Sequence, residues 1–397
     1  MELDTMRAAL QGVTAYKDVL GLPVMEQAAA LVSRLAYGDG LGGLEAYTSL
    51  FYQLRQEGHA GLGSWLGDAL RWSEGPYPRL AEREGRDPAL EQAARRDVSA
   101  FELLCSVDCD RWLAQLSRLL DSSYQGTITG LPRWQAGVPF SFEQLTEAYR
   151  KEGAGPFARY RAFVWEDGGL IPITDLDCPQ AGELLGYEEQ RDEVVRNTRV
   201  LLEGRRVNNV LLYGESGTGK SATVKSLLGM PGMEELRIVE ADKADLGGLP
   251  ALIRTLGGRR QKFIVFIDDL AFDRDDPTYS VLKTILEGGL ERRPQNVAVY
   301  ATSNRRHLVR QTISERAGDE MDRNETIREK TSLADRFGLR VLFQGLSKGE
   351  FLALVDMLAD RHGVDMDREE LHRRAAAWGR FYGAQAPRTA VQFILSL

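Results

Sequence analysis

The sequence is poor in cysteine, in net positive charge and in long apolar runs, and each shortage excludes something. Three cysteines in 397 residues, Cys105, Cys109 and Cys178, are an odd count in a large chain and fit reduced thiols rather than a disulfide framework. Cys105 and Cys109 lie one helical turn apart, but no histidine stands nearby in sequence to complete tetrahedral metal ligation, so both read as small buried hydrophobes. A formal net charge of -8 provides no global cationic field to hold duplex nucleic acid or an anionic membrane surface, although a local basic patch stays open. No apolar run approaches the roughly 20 residues that a bilayer requires, and the opening MELDTMRAALQGV carries early acids and no apolar signal stretch. A cytoplasmic protein without membrane contact is therefore expected. No internal repeat or low-complexity tract is evident.

What is present is ordinary globular composition, 43% hydrophobic and 27% charged, enough for two or three domains. Up to about Leu120, segments such as LEAYTSLFYQLRQ and AFELLCSVDCDRWLAQLSRLL have helical spacing, broken by GDGLGG and GPYP. Gly and Pro thicken through QGTITGLPRWQAGVPF. ARYRAFVWEDGGLIPIT then reads as a hairpin about Asp167-Gly168-Gly169, with Pro172 arguing for an edge strand. The domain boundary is expected near Cys178.

Beyond it the pattern changes to short apolar strands alternating with amphipathic helices. VLLY at 210–213, LRIVEA at 236–241, FIVFI at 263–267, VAVYAT at 297–302 and LRVLF at 339–343 suit parallel strands covered on both faces. The helix expected at 277–290 would be capped by Asp276 and face the sheet with Tyr279, Leu282, Ile285 and Leu286. From about Leu346 only helices follow, and Ser347 with Glu350 makes a capping-box pattern.

Gly214-Glu-Ser-Gly-Thr-Gly-Lys-Ser221 satisfies the phosphate-loop pattern G-x-x-x-x-G-K-[ST] in its required setting, after a buried strand and before a helix whose inward face is Val224, Leu227 and Leu228. Glycines let the backbone wrap so that successive N–H groups point at phosphate oxygens, and the helix N-terminus adds its positive end. The nucleotide-binding stretch is Gly214, Glu215, Ser216, Gly217, Thr218, Gly219, Lys220, Ser221 and Ala222. Lys220 is expected on the β- and γ-phosphates and Ser221 on Mg²⁺.

Hydrolysis needs more than this loop. FIVFIDDL delivers Asp268 and Asp269 at a strand's C-terminal end, where ligands sit in open α/β sheets. Asp268 is assigned to Mg²⁺ and Asp269 to the attacking water. Asn304, closing VAVYATSN, is placed to bond the γ-phosphate and the lytic water, although an isolated Asn at a strand end is usually a turn residue. Arg336 in SLADRFGL precedes the last strand in a polar turn. It suits either a neighbouring subunit's nucleotide or an ordinary surface salt bridge. Arg388 follows Pro387 at a helix start, a mild penalty unless an anion such as phosphate lies close.

Together these residues resemble the AAA+ class of P-loop ATPases: GESGTGKS as Walker A, FIVFIDD as Walker B, ATSN as sensor 1, SLADRF as the arginine-finger segment and Arg388 as sensor 2. More narrowly, LLGYEEQRDEVVRNTRVLLEGRRVNNVLLYGESGTGKS and the segments around DDLAFDRDDPTYSVLKTILEGGLERRPQNVAVYATSNRRHL are similar to an uncharacterised bacterial family catalogued only as a domain of unknown function. The resemblance implies an α/β AAA+ core over 181–345 with a parallel five-stranded sheet of order 5-1-4-3-2. It also implies a helical lid over 346–397, and ring or filament homo-oligomers with ATP at subunit interfaces. Before these stand a mostly helical N-terminal domain over 1–150, assigned to a protein client, and a hairpin and linker over 151–180. Tyr187 falls where the class sets an apolar residue against adenine. Asp269 stands where most members carry Glu, one methylene longer, so slow or partner-assisted hydrolysis is compatible with the sequence.

The function that follows is an ATP-driven switch or remodelling machine using ATP and Mg²⁺ on an unknown macromolecular client. A nucleotide-regulated scaffold with little turnover and a P-loop kinase, its second substrate clamped by Arg336 and Arg388, are the alternatives. A GTPase is set aside, because ADKAD at 241–245 has Asp242 in the guanine-reading position and precedes the Walker B strand. Basic clusters at 258–262 and 304–310 lack interleaved aromatics and read as solvated faces, so nucleic acid is possible but not favoured.

Overall fold

In a computed structural model of the chain, helices occupy the residues up to Arg159 and a sheet begins at Ala162. The structure describes residues 3–179, 184–272, 277–287, 293–304, 333–382 and 385–397. Two compact units divide between Arg159 and Tyr160.

In the first unit the longest helices are Pro23–Ala36, Gly40–Gln56 and Pro88–Cys105. Aspartates set where several helices begin: Asp39, Asp87 and Asp108 each accept a first-turn backbone N–H, satisfying donors that have no partner inside the helix. Tyr16, Tyr47, Phe101 and Tyr149 are fully buried in its core. Cys105 and Cys109 are free and buried. Burial pushes the Cys105 thiol up to about 12, which keeps it protonated and poor as a metal ligand. Among the described residues no cluster of three His, Cys, Asp or Glu is placed to hold a metal.

The second unit is built on a seven-stranded sheet: β1 (Ala162–Glu166), β2 (Gly169–Ile173), β3 (Val210–Gly214), β4 (Leu236–Ala241), β5 (Lys262–Ile267), β6 (Val297–Ser303) and β7 (Leu339–Phe343). Their order is β2-β1-β4-β5-β6-β3-β7. All neighbours are parallel except β1 and β2. The expectation of five strands is corrected to seven. Counted from the phosphate-loop strand, the run β7-β3-β6-β5-β4 reads 5-1-4-3-2, and β1 and β2 extend it beyond β4.

The hairpin is therefore no linker. β1 pairs parallel with β4, Ala162 opposite Ile238 and Trp165 opposite Ala241, so the second unit begins well before the boundary expected near Cys178. Pro172 lies in β2 at the sheet's edge, where its missing N–H costs no ladder bond.

β5 and β6 are buried almost along their whole length, which explains their continuous apolar runs. The helix expected at 277–290 is seen as Pro277–Glu287 with Leu282 buried; its proposed cap Asp276 lies outside the described residues. After β7 come helices Lys348–His362, Arg368–Tyr382 and Pro387–Leu395. They pack around Phe351, Val355, Leu371 and Phe393. Ser347 and Glu350 form the reciprocal cap foreseen. Within the basic stretch 258–262, Arg259 is buried rather than solvated, while 305–310 lie outside the described residues.

Candidate functional site

The site assembles at the C-terminal tips of β3, β5 and β6. After β3 the chain turns through Gly214, with φ +136°, and Gly217 and Gly219, with φ +75° and +89°. The first two are required for different reasons. A Cβ on Gly214 would stand 2.0 Å from the Phe343 carbonyl oxygen, and one on Gly217 would stand 3.2 Å from Cβ of Arg388. The loop is thus pressed against β7 on one side and the last helix on the other. Backbone bonds hold both contacts: Glu215 N–H donates to Phe343 O at 3.1 Å and Arg388 N–H donates to Gly217 O at 3.2 Å.

Lys220 opens the helix Lys220–Ser226 and is buried. Its ammonium donates to the carbonyls of Gly214 and Glu215 at 3.1 and 2.6 Å and to Asn304 Oδ1 at 2.9 Å. Burial holds its pKa below the ordinary lysine value, against the opposing pull of Asp269 and Asp268. Asn304 in turn donates from Nδ2 to Asp269 Oδ1 at 2.8 Å. Ser221 Oγ donates to Asp268 Oδ1 at 2.6 Å.

Five sequence-predicted residues therefore meet: Lys220, Ser221, Asp268, Asp269 and Asn304. A sixth, Thr302, was not foreseen. Its hydroxyl donates to Asp268 Oδ1 and accepts from Asp269 N–H at 2.9 Å, fixing both carboxylate-bearing residues at once. Asp269 has a left-handed φ of +48°, a conformation costing about 1–2 kcal/mol for a residue with a Cβ. The available signal for Thr302 was position, near the end of β6 and two residues before Asn304, which follows the strand, in the alternation that puts residues i and i+2 on one side.

Beside the loop lies a cavity of about 200 Å³. Of the residues assigned to the nucleotide in the sequence, Tyr187, Gly217, Thr218, Gly219, Ala222 and Arg388 line it, together with the unforeseen Arg191 and Phe343. The Tyr187 ring lies 5.2 Å from that of Phe343, centroid to centroid, and its hydroxyl donates to Gln344 O at 2.6 Å. Burial, with Glu215 and Glu350 nearby, raises the Tyr187 phenol to about 12, so it remains a neutral donor. Glu215 and Ser216 are exposed and do not line the cavity. Arg336, half-buried on the turn before β7, does not line it either.

The residues fit a magnesium nucleotide. The loop carries left-handed glycines at 217 and 219 that line the cavity, a buried lysine follows them, and one hydroxyl with one carboxylate is the oxygen set that magnesium takes alongside phosphates and water.

No curated protein matches the sequence. Solved structures similar to it include two mutant forms of RuvB from Thermotoga maritima. One is 16% identical over 55% of this chain and 64% of that chain, with a TM-score of 0.37, and the other 14% identical over 54% and 62%, at 0.34. A third is the T. maritima RuvB Holliday junction branch migration motor, 14% identical over 55% and 72%, at 0.33. This chain spans less than two thirds of the length of the first two. At such scores the likeness carries no argument about activity or partners. A family model, by contrast, matches residues 158–397, which take in the whole second unit. Its description is "Protein of unknown function (DUF815)", and because it covers well over half of the sequence, the chain belongs to that family.

Proposed function

We propose that this chain is an AAA+ ATPase, a magnesium-dependent switch or remodelling machine that turns ATP hydrolysis into work on a macromolecular client. One observation carries the reading. Lys220, Asn304 and Asp269 form a continuous hydrogen-bonded chain across three strand tips, and Ser221 bonds Asp268 beside it.

In this reading Lys220 draws the β- and γ-phosphates against the loop amides, and Arg388 meets the phosphates from the last helix. Tyr187 and Phe343 flank the base. Ser221 and Asp268 hold magnesium, which neutralises charge on the phosphate oxygens. Asp269 orients the attacking water, Asn304 senses the γ-phosphate, and Thr302 keeps the two aspartates in register. Arg336 acts on the nucleotide of a neighbouring subunit in a homo-oligomer, ring or filament. The helical unit before Arg159 grips the client.

A second reading is a nucleotide-regulated scaffold with little turnover. It is favoured by the short Asp269 side chain, whose carboxylate is engaged by the Asn304 amide. Titration calorimetry with Mg-ATP, followed by phosphate release from the same sample, separates the two. Binding with steady turnover supports the machine and binding without turnover the scaffold. No heat of binding removes both.

A further inference from the structure

The cavity has a wall that the phosphate chemistry does not use. Residues 184–187 form a short strap along it, and Leu184, Leu185, Gly186 and Tyr187 all line the space. Two consecutive residues of this strap are left-handed, Gly186 at φ +72° and Tyr187 at φ +59°. Such a turn is held by its surroundings, since a tyrosine does not choose that conformation unaided.

Its anchors are identifiable. At one end the Tyr187 hydroxyl bonds Gln344 O, just beyond β7. At the other the Arg191 guanidinium donates from Nη1 to Leu184 O and from Nη2 to Glu188 Oε1 at 3.2 Å. Arg191 stands one turn into the helix Glu188–Leu202. Its side chain is only 15% exposed, well inside what a long cation adopts on a helix surface. Between the anchors the strap joins two bodies of packing. Leu185 packs with the core of the last three helices and Tyr187 with the core under the sheet.

We propose that Arg191 is a positioning residue that pins this strap and so sets affinity and base selectivity for the nucleoside, leaving the grip on the phosphates to the loop. The inference rests on the nucleotide reading above. The guanidinium fork supports it chemically, because one planar group serves the Leu184 carbonyl and the Glu188 carboxylate together, which a lysine ammonium matches poorly. With the fork removed, the Leu184 end of the strap loses its anchor and the base faces a mobile wall, while Lys220 and the loop glycines are untouched.

The experiment compares two probes on the full chain, Mg-ATP and inorganic tripolyphosphate, by calorimetry. Arg191→Ala should weaken ATP about tenfold and leave tripolyphosphate unchanged, with the preference for ATP over GTP reduced. Arg191→Lys should fall between it and the wild type, and it serves also if the alanine variant folds poorly. In turnover the loss should appear in KM, with kcat within about twofold. Equal weakening of both probes would mean a general disturbance of the loop and would overturn the proposal. Unchanged ATP binding would do so as well. If the wild-type chain binds neither probe, the nucleotide reading itself has failed, an outcome distinct from either.

Discussion

Asn304 donates its side-chain amide to Asp269 at 2.8 Å while its carbonyl oxygen accepts from Lys220 at 2.9 Å. One neutral side chain thus joins the cation expected on the phosphates to the carboxylate expected on water. An amide suits the position because it presents a donor and an acceptor on opposite arms without adding charge. A terminal phosphate entering here would compete for Lys220, and Asn304 would then be free to report the phosphate's presence to Asp269.

Asn304→Ala should therefore lower kcat by about 100-fold, the usual effect of losing one donor aimed at developing charge. Nucleotide affinity should change by less than about threefold, since the loop and Lys220 remain. Single-turnover phosphate release alongside fluorescent-nucleotide binding measures both. Affinity and rate lost together would place Asn304 in ground-state binding instead.

Thr302→Val keeps shape and removes the hydroxyl that serves both Asp268 and the Asp269 N–H. Thr302 is buried, and although the Asp269 N–H keeps a second acceptor in Asp268 Oδ1 at 3.1 Å, losing the hydroxyl's bond to the Asp268 carboxylate should cost about 1–3 kcal/mol. A lowered thermal midpoint without nucleotide should accompany weaker magnesium dependence of ATP binding. Thr302→Ser, which restores the hydroxyl, should recover most of both.

Lys220 gives a pH dependence with a definite sign. Burial lowers its pKa in the free protein, with Asp269 and Asp268 acting against the shift and Arg388 with it. Bound phosphates add negative charge and favour the protonated form, so the pKa rises on binding. Affinity is then complete below the free-protein pKa and declines as pH rises from that value toward the bound one, with proton uptake on binding across the window. Calorimetry in buffers of different ionisation heat reads the uptake. Lys220→Arg, whose charge persists above pH 12, should abolish the slope even where it weakens binding.

How far the sequence discloses this site depends on the range of the interaction. β3, β5 and β6 were legible because buried parallel strands are apolar on both faces. Asp268 and Asp269 followed from them, because a strand's end fixes where its next residues stand. The hairpin's turn was legible too, but its pairing with β4 was not, since that choice is made between segments far apart in sequence. Thr302 reads locally as a β-branched strand residue, Phe343 as core and Arg191 as a helix-surface charge. Each acquires its role only from what folds against it. Arg259 failed in the opposite direction: a run of basic residues looks solvated, yet the Asn296 amide nearby bonds the carbonyls of Leu256, Arg259 and Gln261 and ties that turn inward.

Arg336 is half-buried on the turn before β7 and does not line the cavity; its neighbour Asp335 pairs with Arg340 at 2.7 Å. If it serves a second subunit, defects in different copies should complement. Lys220→Ala abolishes the site of its own chain but leaves its Arg336 intact, whereas Arg336→Ala leaves its own loop and carboxylates intact. Each variant alone should hydrolyse ATP at less than about 1% of the wild-type rate, by the usual worth of a finger arginine. Their equimolar mixture should recover a substantial fraction, because mixed assemblies set an intact Arg336 beside an intact loop. The recovery should rise with protein concentration, as assembly does, and fall on dilution. An Arg336→Ala protein that hydrolyses ATP at the wild-type rate would remove the shared-site model and leave each chain as a self-contained ATPase.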